Sequence, residues 1–240
     1  MNKTDSAKTL LLFTVLCAIA GAILRAAFLN GGNAVYLIAA SAVVTVLILC
    51  RCLKLKTVSY YGDLFREFMP SMIAQLFGAL LLLAGGLLCF TQELTVMQKI
   101  LAALAIVSAV FIAIGALNVQ TGKDQKTVFY AVVTLYFVIK LFYDFRHWML
   151  DPAVLDYCFR LFASISFMLC AYHLTEATVT DAKRRRIALF SLCGVFFGAT
   201  SLTDLTGSDF LFCAGGVLWA LGTAWQVTDR KTDSREDKTI

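Results

Sequence analysis

Two apolar stretches of this chain carry ionisable side chains at helical spacing. Tyr136, Lys140, Tyr143, Asp144 and His147 stand at offsets of 4, 7, 8 and 11 from the first of them, which puts them on one helix face. Asp156, Arg160 and Ser164 follow at offsets of 4 and 8, again on one face. Lys140 with Asp144, and Asp156 with Arg160, are opposite charges one turn apart and can pair. Such side chains cost roughly 2.5–3.5 kcal/mol each at the centre of a membrane span, so their placement needs a reason. One reason is binding. A mixed-charge pocket suits a small solute or a lipid headgroup, with Tyr136, Lys140, Asp144, His147, Asp156 and Arg160 as the expected contact set. The other is structural: salt bridges and interface anchors that lock two consecutive helices into a hairpin. Lys140 lies five residues from the end of its apolar run, about 7.5 Å at the helical rise. Arg160 lies seven residues into its own run, about 10 Å. Both depths allow long side chains to snorkel to the interface, so both reasons stand.

The other candidates have simpler readings. His173 and Glu176 sit three residues apart at the end of an apolar run and read as a helix end meeting water, because no further ligand lies nearby to complete a metal site. Lys183, Arg184, Arg185 and Arg186 read as a topology determinant that also meets anionic lipid headgroups or a protein partner. Six of the eight cysteines (Cys17, Cys89, Cys158, Cys170, Cys193 and Cys213) fall within apolar runs, where cysteine behaves as a small hydrophobe. Cys50 and Cys52 flank Arg51 at the edge of a run and offer a weak palmitoylation signal. The sequence holds no HExxH, GxSxG, Walker lysine loop or GxGxxG. No catalytic set, metal or cofactor is expected.

The elements that position these residues are set by composition. The chain has 240 residues, 60% of them hydrophobic and 15% charged, with a mean hydropathy of +0.78. Soluble domains carry about 25% charged residues; a chain this poor in charge cannot coat a water-facing surface. Apolar runs cover 10–29, 34–53, 72–90, 100–117, 128–145, 153–174, 187–202 and 210–227. Each approaches the roughly 20 residues that cross a bilayer. The expected fold is therefore all-α, a polytopic transmembrane helical bundle of about eight spans, forming a single domain over 1–227. Residues 228–240 form a polar, disordered cytoplasmic tail.

The basic residues give an independent count. Cytoplasmic connections are enriched in Lys and Arg. With the N-terminus inside, sixteen of the 21 Lys and Arg residues fall on the inner side. They include Arg51, Lys54 and Lys56 after the second run, Lys123 and Lys126 after the fourth, and Lys183–Arg186 after the sixth. Only Lys99 and Arg146 fall in outer connections, and Arg25, Lys140 and Arg160 lie within runs. Removing one span would invert every later connection, so the alternation supports eight spans with both termini inside. The same placement argues against nucleic acid as the partner of the net +5 charge. The N-terminal run also resembles a signal peptide ending at Ala18-Ile19-Ala20, but it continues to Leu29 and reads as a retained span.

Local signals complete the expectation. Tyr60–Met69 mixes aromatics and charges and reads either as an interfacial helix or as a loop with aromatic anchors. Pro70 suits the first turn of the third helix, and Asp151-Pro152 the start of the sixth. Gly194 and Gly198 form a GxxxG, and Ala18, Ala22 and Ala26 a small-residue ridge, both expected to bring helices together. Gly85-Gly86 and Gly215-Gly216 are the only candidates for the mid-span breaks that many transporters use. The function expected from these features is a small-solute transporter or solute-binding component in the plasma membrane, here a bacterial cytoplasmic membrane. Its polar site would face outward between the fifth and sixth spans. The alternative is a non-catalytic subunit or sensor docking a partner on its basic loops; a lipid-modifying enzyme using His147 with Asp144 or Asp151 is the least favoured.

Overall fold

The computed structural model of the chain describes residues 3–55, 68–91, 95–123, 125–148, 154–180 and 183–228. Side chains of 3–8, 147–148 and 154–156 are outside that description. Tyr60–Glu67, Asp151-Pro152 and the tail beyond Thr228 also lie outside the described residues, so the expectations placed on them are not taken further.

The described residues form eight long helices and no strand: α1 (Lys3–Leu29), α2 (Ala34–Leu53), α3 (Met69–Phe90), α4 (Val96–Gln120), α5 (Thr127–Trp148), α6 (Val154–Ala177), α7 (Arg184–Ser201) and α8 (Gly207–Thr228). All eight are long and apolar enough to cross a membrane. Most overrun the apolar runs at one or both ends, by up to about two turns, because a helix stops at its cap rather than where hydrophobicity stops. The Asn33 side chain accepts from the Val35 N–H at 2.9 Å to start α2. Pro70 lies in the first turn of α3. Gln98 accepts from the Thr95 N–H at 2.9 Å to start α4, half of a capping box. Large apolar side chains such as Leu12, Leu16, Ile23, Tyr36 and Phe142 point outward, the arrangement suited to a lipid solvent.

Helices α3 to α8 close a ring in which each packs on its two neighbours, α3 finally meeting α8. The α1–α2 hairpin lies outside it, mainly against α7. Two ends can be told apart by their polar residues. The Arg25 end holds Arg25, Lys140, Arg160 and Asp209. The Arg184 end holds Ser71, Gln75, His173 and Arg184.

Ring closure between α3 and α8 depends on glycine. A Cβ on Gly78 would lie 2.7 Å from the Gly215 carbonyl oxygen and 2.8 Å from the Trp219 nitrogen. A Cβ on Gly222 would lie 2.6 Å from Gln75 Cγ and 2.8 Å from the Ser71 carbonyl oxygen. Ser71, Gly78 and Gly85 recur every seven residues, as do Gly215 and Gly222, so the small side chains keep one seam over several turns. Where the backbones come close, Ser71 Oγ donates to the Gly222 carbonyl at 2.7 Å and Gln75 Nε2 to Gln226 Oε1 at 3.0 Å.

Three expectations about small residues change. Gly85-Gly86 and Gly215-Gly216 break no helix; α3 and α8 run through them. Gly85, Gly215 and Gly86 instead admit α8, α3 and α4 respectively, the last with a Cβ position 3.0 Å from the Ala102 carbonyl oxygen. The Gly194–Gly198 pair does not bring two backbones together. With Gly216 it forms a cradle for the Phe167 ring, which lies 2.8–3.0 Å from the Cβ position of each. The Ala18–Ala22–Ala26 ridge lines an apolar groove against α7 and α8. Close approach of α1 to α7 occurs instead at Gly21, whose Cβ position is 2.6 Å from Thr200 Oγ1.

Candidate functional site

At the Arg25 end, α5, α6 and α8 bring four charged side chains into one network. Lys140 Nζ lies 3.1 Å from Asp144 Oδ2, one turn along α5. It also lies 3.5 Å from Asp209 Oδ1 on α8. Arg160 Nη2 on α6 donates to Asp209 Oδ2 at 2.8 Å. Asp209, which the sequence places at the same end of the bundle in the turn before the last span, is the bridge between the two stripes, a role the sequence alone does not assign. It stands in the first turn of α8, after Gly207, whose φ of +60° is a left-handed conformation that suits glycine. An acidic residue at the start of a span, level with cations in two others, was the available signal.

A second pair sits nearby. Arg25 Nη2 lies 3.1 Å from Asp204 Oδ2. The Arg25 side chain is fully buried, with its guanidinium 5.3 Å from the Phe28 ring centroid and 5.5 Å from that of Phe159. This pair fastens α1 to the turn between α7 and α8.

A cavity of about 140 Å³ opens beside the network, toward α3 and α4. Gln98, Tyr136, Tyr143 and Ser208 line it together with Lys140, Asp144, Asp209 and Phe212. A second space of about 30 Å³ lies toward α6, next to Arg160 and Ser164. Tyr136 borders both cavities. Its side chain is 1% exposed, and its hydroxyl has no hydrogen-bond partner among the described residues. Buried polar groups are nearly always paired, with protein or with ordered water; this hydroxyl instead faces a cavity. Below this level Phe137 packs on Phe167 at 5.4 Å and stacks on Trp219 at 5.9 Å, closing the ring interior with aromatic side chains.

Of the six expected contact residues, Tyr136, Lys140, Asp144 and Arg160 come together here. The side chains of His147 and Asp156 lie outside the described residues. The two polar stripes are bridged through α8, because Arg160 turns to Asp209.

The Arg184 end is used differently. Arg184 is buried; its Nε donates to the Val227 carbonyl at 2.8 Å and its Nη2 to that of Thr228 at 3.2 Å. A cation on the last carbonyls of α8 satisfies groups with no helical partner and suits the helix dipole. Arg184 is therefore no member of a lipid-facing or partner-facing set. Arg185 donates to the Leu55 carbonyl at 2.6 Å, and Lys183 pairs with Glu176, which also bonds His173 Nδ1 at 2.7 Å. Lys183, Arg185 and Arg186 stay exposed. Among the described residues no group of His, Cys, Asp or Glu is placed to hold a metal ion.

Fold and site together define an all-helical, multi-pass membrane protein with a charged cavity near one end of its helix ring. Comparison of the chain with models of protein families, with curated proteins and with solved structures finds no match in any of the three.

Proposed function

We propose that this protein binds a small polar solute in the cavity beside Tyr136, as a transporter or as the solute-binding component of one. It lies in the plasma membrane with both termini in the cytoplasm, and the Arg25 end faces outward. The observation that carries the reading is the Tyr136 hydroxyl, buried between two cavities with no partner among the described residues and one turn from the Lys140–Asp144 pair. A purely structural salt-bridge cluster accounts for the ion pairs but gives no reason for the cavity or the orphaned hydroxyl.

Orientation rests on the distribution of Lys and Arg. A cysteine placed at Lys123 is expected to react with an impermeant thiol reagent only from the cytoplasm, and one at Thr206 only from outside. Labelling of both from the same side overturns the orientation. At the inner face, Lys183, Arg185 and Arg186 meet anionic lipid headgroups. The engagement of Arg184 and Arg185 within the chain disfavours a large docking surface for a protein partner.

Tyr136→Phe separates binding from folding. The hydroxyl has no partner among the described residues to lose, so its removal should leave stability unchanged or raise it by about 1–3 kcal/mol, the usual cost of an unsatisfied buried polar group. In a thermal-shift screen of small polar metabolites, solutes that stabilise the native protein in proportion to occupancy should lose that effect in Tyr136→Phe. A variant that unfolds early but keeps the ligand response would show that the hydroxyl is bonded within the protein, and the reading would fail.

A further inference from the structure

We infer that the solute is a small ammonium–carboxylate zwitterion of about six non-hydrogen atoms, the size of alanine. This inference rests on the solute-binding reading above and adds the chemical class.

Size sets the first limit. The larger cavity measures about 140 Å³; an apolar cavity of roughly 150 Å³ takes a six-carbon ring. Charge sets the second. Lys140 and Arg160 face Asp144 and Asp209 in one network, so the four fixed charges cancel. A ligand with net charge would leave that charge uncompensated in a partly desolvated site, which is costly. A neutral ligand with separated charges avoids this.

Hydrogen-bonding capacity sets the third. An ammonium has three donors. Lys140 Nζ lies 3.3 and 3.1 Å from the two oxygens of Asp144 and 3.5 Å from Asp209 Oδ1; with one N–H shared between the Asp144 oxygens, one remains. A carboxylate has about four acceptor positions. Among the described residues Asp144 accepts from Lys140 alone, although its residue is only 8% exposed. The Tyr136 hydroxyl can donate and accept. The cavity wall therefore offers one spare cationic donor, several spare anionic acceptors and, beside the neutral side chains of Gln98, Tyr143 and Ser208, the Tyr136 hydroxyl. A ligand ammonium on Asp144 and the Tyr136 hydroxyl, with its carboxylate on the third Lys140 N–H, engages the spare donor, the spare acceptors and the Tyr136 hydroxyl together. The ligand's charges then lie antiparallel to the Lys140–Asp144 pair. A lone amine leaves the Lys140 donor unused, and a lone carboxylate leaves the acceptors of Asp144 unused.

The test uses the full chain in proteoliposomes, with the eight native cysteines replaced and Ser208→Cys introduced on the cavity wall. The rate of modification by a small methanethiosulfonate reagent is measured alone and with alanine, β-alanine, ethylamine or acetate. At about ten times its dissociation constant, a ligand leaves roughly a tenth of the sites free. At a concentration that slows labelling about tenfold with alanine or β-alanine, ethylamine and acetate should slow it less than about twofold. Protection should be lost in Asp144→Asn and in Tyr136→Phe, whose cysteine still reacts. Equal protection by ethylamine or acetate, or none by either amino acid while the cysteine reacts, overturns the ligand class and leaves the cavity standing. A cysteine that reacts from neither side removes the solute-binding reading and this inference with it.

Discussion

Gly78→Val should abolish the folded bundle. The new side chain would have to fit where the Gly215 carbonyl oxygen and the Trp219 nitrogen already stand within 2.8 Å of the Cβ position. Both are backbone atoms, so no rotamer change relieves the clash and the two helices must separate. Overpacking of this kind costs about 3 kcal/mol or more when the surroundings cannot yield. Separation also breaks the Ser71–Gly222 and Gln75–Gln226 bonds at one end of the same seam. The expected result is loss of the monodisperse peak in detergent chromatography. Leu80→Val, on the exposed side of α3, should elute as the native protein does. A Gly78→Val protein with native elution and melting temperature would mean that α3 and α8 are not in backbone contact.

Arg25→Met should be the most destabilising change at the opposite end, and part of its effect should be reversible. The guanidinium is fully buried and pairs with Asp204. Removing one partner of a buried pair costs about 3–5 kcal/mol, because the other charge is left uncompensated. Asp204 retains 20% exposure, so water recovers some of this and the lower end of the range is expected. Arg25→Met with Asp204→Leu removes both charges, and methionine keeps contact with Phe28 and Phe159. The double variant should regain most of the lost stability in thermal unfolding. If the double variant melts as early as the single one, Arg25 contributes mainly through its aromatic contacts or its other bonds, and the ion pair is incidental.

The number and order of helices were legible because lipid imposes a coarse rule: long apolar runs, with cations sorted between them. Helix ends were less legible. They are fixed by single side chains, such as Asn33 and Gln98, that hydropathy does not weigh. The Lys140–Asp144 pair could be read because it is local, four residues apart on one helix. Asp209 could not be assigned to it, because its role depends on α8 standing across the ring from α5. The glycines were misread for a related reason. A GxxxG names two positions without a side chain, but not what fills the space. Here a ring from α6 does so, and only the fold could show that Phe167 reaches it. Gln75 and Gln226 were overlooked because each is a single neutral polar residue in an apolar run, with a partner some 150 positions away.

The glycine seam also fixes an order of events during synthesis. The edge of α3 that carries Ser71, Gln75 and Gly78 is completed by α8, which leaves the ribosome after the other described helices. Until then its hydroxyl and amide groups lack the bonds they later make, in a solvent that offers few substitutes. A nascent chain arrested before Gly207 would present that polar edge to the bilayer, where membrane proteases and chaperones can distinguish it from the finished ring.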